Sequence, residues 1–125
     1  MRAQQILFVE DDLITSLSSC DFLRDRGFRV MEVADAQSAA EIVDQRGYLS
    51  GLVCDIDLGP GADGFQVARR TRLAYPGLPV VFVSAAAAAR HPLEGVDGSI
   101  FIPKPYHPRQ IAEALSALSS HQAVA

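Results

Sequence analysis

The chain has 125 residues, 49% apolar and 21% charged, a composition that suits one globular domain able to bury a core without disulfides or metal staples. Its formal net charge of −4, with no block of lysine or arginine, provides no electrostatic footprint for nucleic acid or for an anionic membrane surface. No apolar run approaches the roughly 18 residues of a membrane span and the N-terminus lacks a signal-peptide pattern, so no membrane insertion is expected and the cytoplasm is the default compartment.

Ile6, Leu7, Phe8 and Val9 form an apolar run that ends on the acids Glu10, Asp11 and Asp12, the pattern of a buried strand with a charged tip. Asp12 reads as a helix cap. From Leu13 to about Arg26, Leu13, Ile14, Leu17, Cys20, Phe22 and Leu23 recur at helical spacing and predict an inner face, with Gly27 as the stop. Phe28 to Val33 alternates like a strand near a sheet edge. Asp35 caps a second helix to about Arg46, with Ala39, Ala40, Ile42 and Val43 inward.

Leu52, Val53 and Cys54 form a third strand that breaks at Asp55 into a glycine-rich loop. Asp63 then starts a helix with Phe65, Val67, Ala68 and Leu73 inward and Arg69, Arg70 and Arg72 outward, stopped by Tyr75, Pro76, Gly77 and Pro79. Val80 to Val83, closed by Ser84, is a fourth strand. The alanine run 85–89 favours helix, but Pro92, Gly95 and Gly98 interrupt it, so a short or frayed helix is expected. Ile100, Phe101 and Ile102 form the last strand, and Pro108 to about Leu118 the last helix, through Ile111, Ala112, Leu115 and Leu118.

Five strands alternating with five helical segments, four of the strands nearly all apolar, predict an α/β fold: a doubly wound parallel sheet in three layers. Residues 1–125 read as one domain, with 119–125 a loose tail. Met1 directly before the first strand suggests an intact N-terminus. Neither Cys20 nor Cys54 has CxxC or Cys/His spacing, and both are assigned to core packing.

In such a sheet the C-terminal strand ends bring together Glu10 and Asp11, then Asp55, Ser84 and Lys104, beside the crevice where open α/β sheets bind ligands. Clustered carboxylates raise one another's pKa unless a cation neutralises them. An all-oxygen, partly hydrated set favours magnesium with a phosphoryl group as co-ligand. Asp55 would then be the nucleophile, with Lys104 and Ser84 on the phosphoryl oxygens.

VEDD at Val9 to Asp12, D-x-x-L-x-P-G-x-x-G from Asp55, VSA from Val83 and KPY from Lys104 together resemble the receiver domain of two-component response regulators. The resemblance covers nearly the whole chain. It implies the flavodoxin-like strand order 2-1-3-4-5 and a phosphoacceptor, Asp55, charged by a sensor histidine kinase or histidine phosphotransfer protein. It further implies Mg2+ held by Glu10, Asp11, Asp55 and the backbone carbonyl of Asp57, with Asp11 a direct ligand and Glu10 acting mostly through water. Ser84 and Lys104 would grip the phosphoryl oxygens, and Phe101, with Ser84, would report phosphorylation to an unnamed downstream protein. Lys104–Pro105 would be cis. A receiver of this kind is a signalling domain, catalysing only its own phosphorylation and dephosphorylation, and no output domain follows in these residues.

Three features depart from the family pattern. The Asp55 to Gly64 loop is one residue longer than the commonest form. The Ser84 to Lys104 spacing of 20 is about two shorter, which puts the fourth helix, and any homodimer or partner using its face, in question. Asp57 sets an acid beside the phosphoryl site, where an altered hydrolysis rate is expected.

Two other functions compete. Asp55 and Asp57 echo the D-x-D of haloacid dehalogenase-like phosphatases, although that signature ends a first strand and here it ends a third. A phosphorylation-independent pseudo-receiver would lose the aspartate or the lysine, and both are present. A flavin site would need a phosphate loop after the first strand, where this chain has acids. Taken singly, Ser84, Lys104, Phe101 and Tyr106 read as ordinary strand, surface and core residues, and His91, His107 and His121 have no metal-ligand spacing and no assigned role.

Overall fold

The computed structural model describes residues 3–124. Strands β1 (Gln5–Val9), β2 (Arg29–Val33), β3 (Gly51–Asp55), β4 (Val80–Ser84) and β5 (Ile100–Pro103) form one sheet. All neighbours pair in parallel, in the order β2-β1-β3-β4-β5. Because side chains alternate across a strand, β1 sends Leu7 and Val9 to one face and Ile6 and Phe8 to the other. Helices α2 (Ala36–Asp44) and α3 (Gly64–Ala74) cover the first face, with Ala39, Val43, Phe65 and Ala68 in its core. On the second lie α1 (Leu13–Asp25) and α5 (Pro108–Val124), contributing Cys20, Leu23, Ile111 and Leu115. The fold is the expected three-layer doubly wound sheet, and both cysteines are buried core thiols.

Helix α1 departs from its predicted face. Its buried residues are Ser16, Ser19, Cys20 and Leu23, while Leu13, Ile14 and Leu17 are exposed. Small polar residues fit against the sheet there because each hydroxyl finds a partner: Ser16 donates to Glu32 at 3.0 Å, and Ser19 lies 2.9 Å from the Tyr106 hydroxyl. Gly27, with φ +94°, ends the helix as predicted: its amide donates to Arg24 and that of Phe28 to Leu23.

Helix α3 makes a similar substitution. Thr71, whose hydroxyl donates to the Val67 carbonyl at 2.8 Å, takes an inner position, and Leu73 points to solvent. Helix α2 ends at Asp44, two residues early, and Arg46 (φ 54°) rather than Gly47 makes the left-handed turn. After β4 only Ala88 and Ala89 of the alanine run enter a 3-10 turn (Ala88–Arg90), and the short helix expected here is the four-residue α4 (His91–Glu94), which takes Pro92 into its first turn and stops at Gly95. Helix α5 passes through Ser119 and Ser120, where a loose tail was expected, since no proline or glycine follows Leu118 to stop it.

Candidate functional site

With every strand parallel, the residues just beyond β1, β3, β4 and β5 meet at one rim of the sheet. Each strand delivers one side chain. Glu10 follows β1, with its amide bonded to the Val33 carbonyl of β2. Asp55 is the last residue of β3 and lies opposite Val83 of β4. Ser84 ends β4 opposite Pro103, and Lys104 follows β5 with its amide bonded to the Ser84 carbonyl. Buried apolar neighbours on both sheet faces fix where each of these strands ends.

The charges converge closely. The Lys104 ammonium donates to Glu10 Oε1 at 2.8 Å and to Asp55 Oδ2 at 3.0 Å. Among the described residues Glu10, Asp11 and Asp55 place carboxylate oxygens within 4.8 Å of one another, with Glu10 and Asp55 buried and Asp11 exposed. Burial above all, then the neighbouring Asp55, pushes the Glu10 carboxyl from 4.5 to about 7, against the opposing pull of Lys104. Burial weighs against the charged form of Lys104 too, but its hydrogen bonds to Glu10 and Asp55 outweigh that and hold the ammonium above the usual lysine value.

One ammonium against three carboxylates leaves a surplus of negative charge. The donor set is all oxygen, one member faces solvent, and the group is compact: a magnesium ion fits its chemistry. The Asp57 amide donates to Asp55 Oδ1 at 3.0 Å, so the phosphoacceptor candidate is held at both oxygens.

The remaining predicted residues lie around this core. Ser84 is fully buried and donates to Asp57 Oδ2 at 2.7 Å. Phe101 is half-buried on β5, opposite Phe82. The Lys104–Pro105 peptide is cis. Asp12 caps α1 through Ile14 and Thr15, and Asp63 caps α3 in a reciprocal capping box with Gln66.

Two features escaped the sequence. His91, read as a loop residue, opens α4 with its ring 5.7 Å from both Phe82 and Phe101 and Nε2 2.9 Å from the Ser99 hydroxyl. Because Ser99 gives its own proton to the Val96 carbonyl, the bond from His91 must run from Nε2–H to the serine oxygen. Arg90 binds Asp63 at 2.9 Å and Glu94 at 2.6 Å, joining α4 to the cap of α3. The i,i+4 spacing of Arg90 and Glu94 is a local signal that could have found that pair, whereas nothing local signals the Arg90–Asp63 or His91 contacts. His107 accepts from the Arg109 amide, and the His121 side chain lies outside those described.

Comparisons with known proteins agree with this geometry. The profile of the response regulator receiver domain matches residues 6–116. The transcriptional regulatory protein TcrA of Mycobacterium tuberculosis is 33% identical over 117 residues, 92% of this chain and 46% of its own length. The chain thus spans about half the length of the curated relatives it first matches. A response regulator receiver protein from Sinorhizobium medicae superposes with a TM-score of 0.92 at 34% identity, covering 95% of this chain and 96% of that one. The receiver domain of the hybrid histidine kinase CckA gives a TM-score of 0.76 at 30% identity, covering 92% and 98%.

Proposed function

The chain belongs to the response regulator receiver domain family, and on that premise we propose that Asp55 accepts a phosphoryl group from a phosphohistidine on a sensor kinase or phosphotransfer protein, in a magnesium-dependent reaction. The observation that carries this reading is the contact of Lys104 with both Glu10 and Asp55 inside a three-carboxylate cluster.

An Asp55 carboxylate oxygen attacks phosphorus; the P–O bond forms as the P–N bond breaks, and the imidazole nitrogen keeps the electron pair. The Asp57 amide and Lys104 orient the attacking carboxylate. Lys104 then neutralises charge on the transferred group, and the Ser84 hydroxyl is the nearby donor for another oxygen. Magnesium, which Glu10, Asp11, Asp55 and the Asp57 carbonyl would hold, supplies charge neutralisation between the carboxylates and the phosphoryl group. Phe101, at the edge strand beyond Ser84, is the proposed relay to a downstream partner.

The donor must bring its histidine to the open side of this site. Leu13, 69% exposed, lines a small hollow with Glu10 and Asp11, and Ile14, 78% exposed, lies on the Lys104 side. Ile14, Thr15, Lys104, Pro105 and Tyr106 line a hollow of about 470 Å³. Apolar side chains exposed together beside a reactive group suit a docking protein. The face of α1 supports this reading: with Ser16 and Ser19 inside, Leu13 and Ile14 are left outside where a partner could meet them.

The test is intact-mass measurement after incubation with acetyl phosphate and magnesium. A gain of one phosphoryl group is expected in the wild type, and none in Asp55→Asn or with a chelator present. A folded wild type that stays unmodified while a control receiver is labelled would overturn the reading in favour of a phosphorylation-independent interaction module.

A further inference from the structure

The Ser84 hydroxyl is completely engaged. It donates its one proton to Asp57 Oδ2 at 2.7 Å, and it accepts from the amides of Ala86 and Ala87 at 3.1 Å each. A serine hydroxyl has one donor and two acceptor positions, so all three are filled. The residue is also fully buried, which leaves no water to take over a lost bond. Any donation from Ser84 to another acceptor therefore requires the bond to Asp57 to break.

Asp57 touches both reaction partners. Its amide donates to Asp55, and its carboxylate accepts the hydrogen bond from the Ser84 hydroxyl. A hydrogen bond to an ionised acceptor is short and roughly twice as strong as a neutral one. Asp57 itself is exposed, so water can hydrate its carboxylate once the serine leaves. An expectation of altered hydrolysis treats this side chain as a modifier of a phosphoryl group already in place; its bond to Ser84 gives it an earlier task.

We infer that the Asp57 side chain is a positioning residue that competes with the phosphoryl group for the single Ser84 proton, so that activation includes exchange of that hydrogen bond from Asp57 to a phosphoryl oxygen. The inference rests on the phosphoacceptor role of Asp55. Before phosphorylation the carboxylate holds Ser84 away from Asp55 and stabilises the inactive arrangement. After it, the serine turns. Because the same oxygen anchors the Ala86 and Ala87 amides, its movement is felt first in the turn that leads to Arg90 and α4. A neutral side chain at position 57 would hold the proton less firmly and shift the resting population towards the active state.

Beryllofluoride with magnesium, an analogue of the aspartyl phosphoryl group, is the probe. Asp57→Asn is expected to bind it about fivefold to tenfold more tightly than wild type, the scale set by exchanging a charged for a neutral acceptor. In a Ser84→Ala background Asp57→Asn should change the affinity by less than about twofold. The Ala86 and Ala87 amide resonances of unliganded Asp57→Asn should also move towards their beryllofluoride-bound positions. An equal gain in affinity with and without the serine would overturn the inference, because Asp57 would then act by repelling the anion. No gain in either background would overturn it as well. A wild type that binds beryllofluoride with no effect of Asp57→Asn defeats this inference alone, whereas a folded wild type that binds none defeats the phosphoacceptor reading with it.

Discussion

The connections that leave β3 and β4 start alike and are held in place differently. Both strands are five residues long and buried throughout, and each ends on a polar residue of the site, Asp55 or Ser84. After β3 the chain folds back on itself: the Gly64 amide bonds to the Ile56 carbonyl, Asp63 and Gln66 form a capping box, and eleven helical residues follow. After β4 one serine hydroxyl gathers two amides, no side chain caps the helix, and four helical residues follow. That segment is secured from outside by Arg90 to Asp63 and Glu94, and by Arg69 and Arg72 to the carbonyls of Glu94 and Asp97. Backbone contacts in a buried setting are costly to break, whereas exposed ion pairs contribute little each. Asp55, the proposed phosphoacceptor, thus sits on the half of the site held by buried backbone contacts, and Ser84 on the half held by exposed ion pairs.

The largest effect should come from prising open the half held by backbone contacts. A Cβ at Gly64 would lie 2.3 Å from the Asp55 carbonyl oxygen, a backbone atom that cannot swing aside. Gly64→Ala should therefore cost about 2–3 kcal/mol in urea denaturation, despite alanine's better helix propensity. A neutral result would mean that α3 is not pressed against β3.

An intermediate effect should come from Asp63, where the two halves meet. Asp63→Ala removes the α3 cap and the Arg90 partner together, and a loss of about 1–2 kcal/mol is expected. Amide exchange should quicken in both α3 and α4; a change confined to α3 would separate the halves that the Arg90 bridge is here taken to join.

The smallest effect belongs to the ion-paired half alone. Arg90→Gln should leave global stability within about 1 kcal/mol. The Gly95 amide, bonded to the His91 carbonyl, should nonetheless exchange a few times faster. Raising wild-type ionic strength to about 1 M should produce part of the same change, because exposed pairs are screened. Unaltered exchange in both experiments would mean that the ring contacts of His91 with Phe82 and Phe101, not the arginine, secure α4.

Much of this was legible in the chain. Apolar runs that stop at Glu10, Asp55 and Ser84, and at Pro103 just before Lys104, mark buried parallel strands and their polar ends, and Glu10, Asp11, Asp55 and Lys104 stand together as that pattern predicts. Gly95, which ends α4, accounts for its shortness, whereas Pro92, expected to interrupt the helix, sits within its first turn, where proline is tolerated. Helix periodicity misled at α1 and α3, where Ser16, Ser19 and Thr71 took inner positions from leucine and isoleucine. A hydroxyl with a local or cross-helix acceptor can be buried at little cost, and no count of apolar spacing sees the acceptor.

By itself, then, the sequence determined the order of elements, the parallel sheet and the identity of the charged residues at its rim. Those depend on local propensity, on runs of apolar residues and on where glycine, proline and acids interrupt them. Tertiary structure alone decided the partners: Ser84 with Asp57, Arg90 with Asp63, and His91 between two phenylalanines. Each pair bridges separate elements, and its geometry arises only when the crossovers set those elements side by side. The polar groups at the rim can be named from the chain, but which of them holds which is settled by packing.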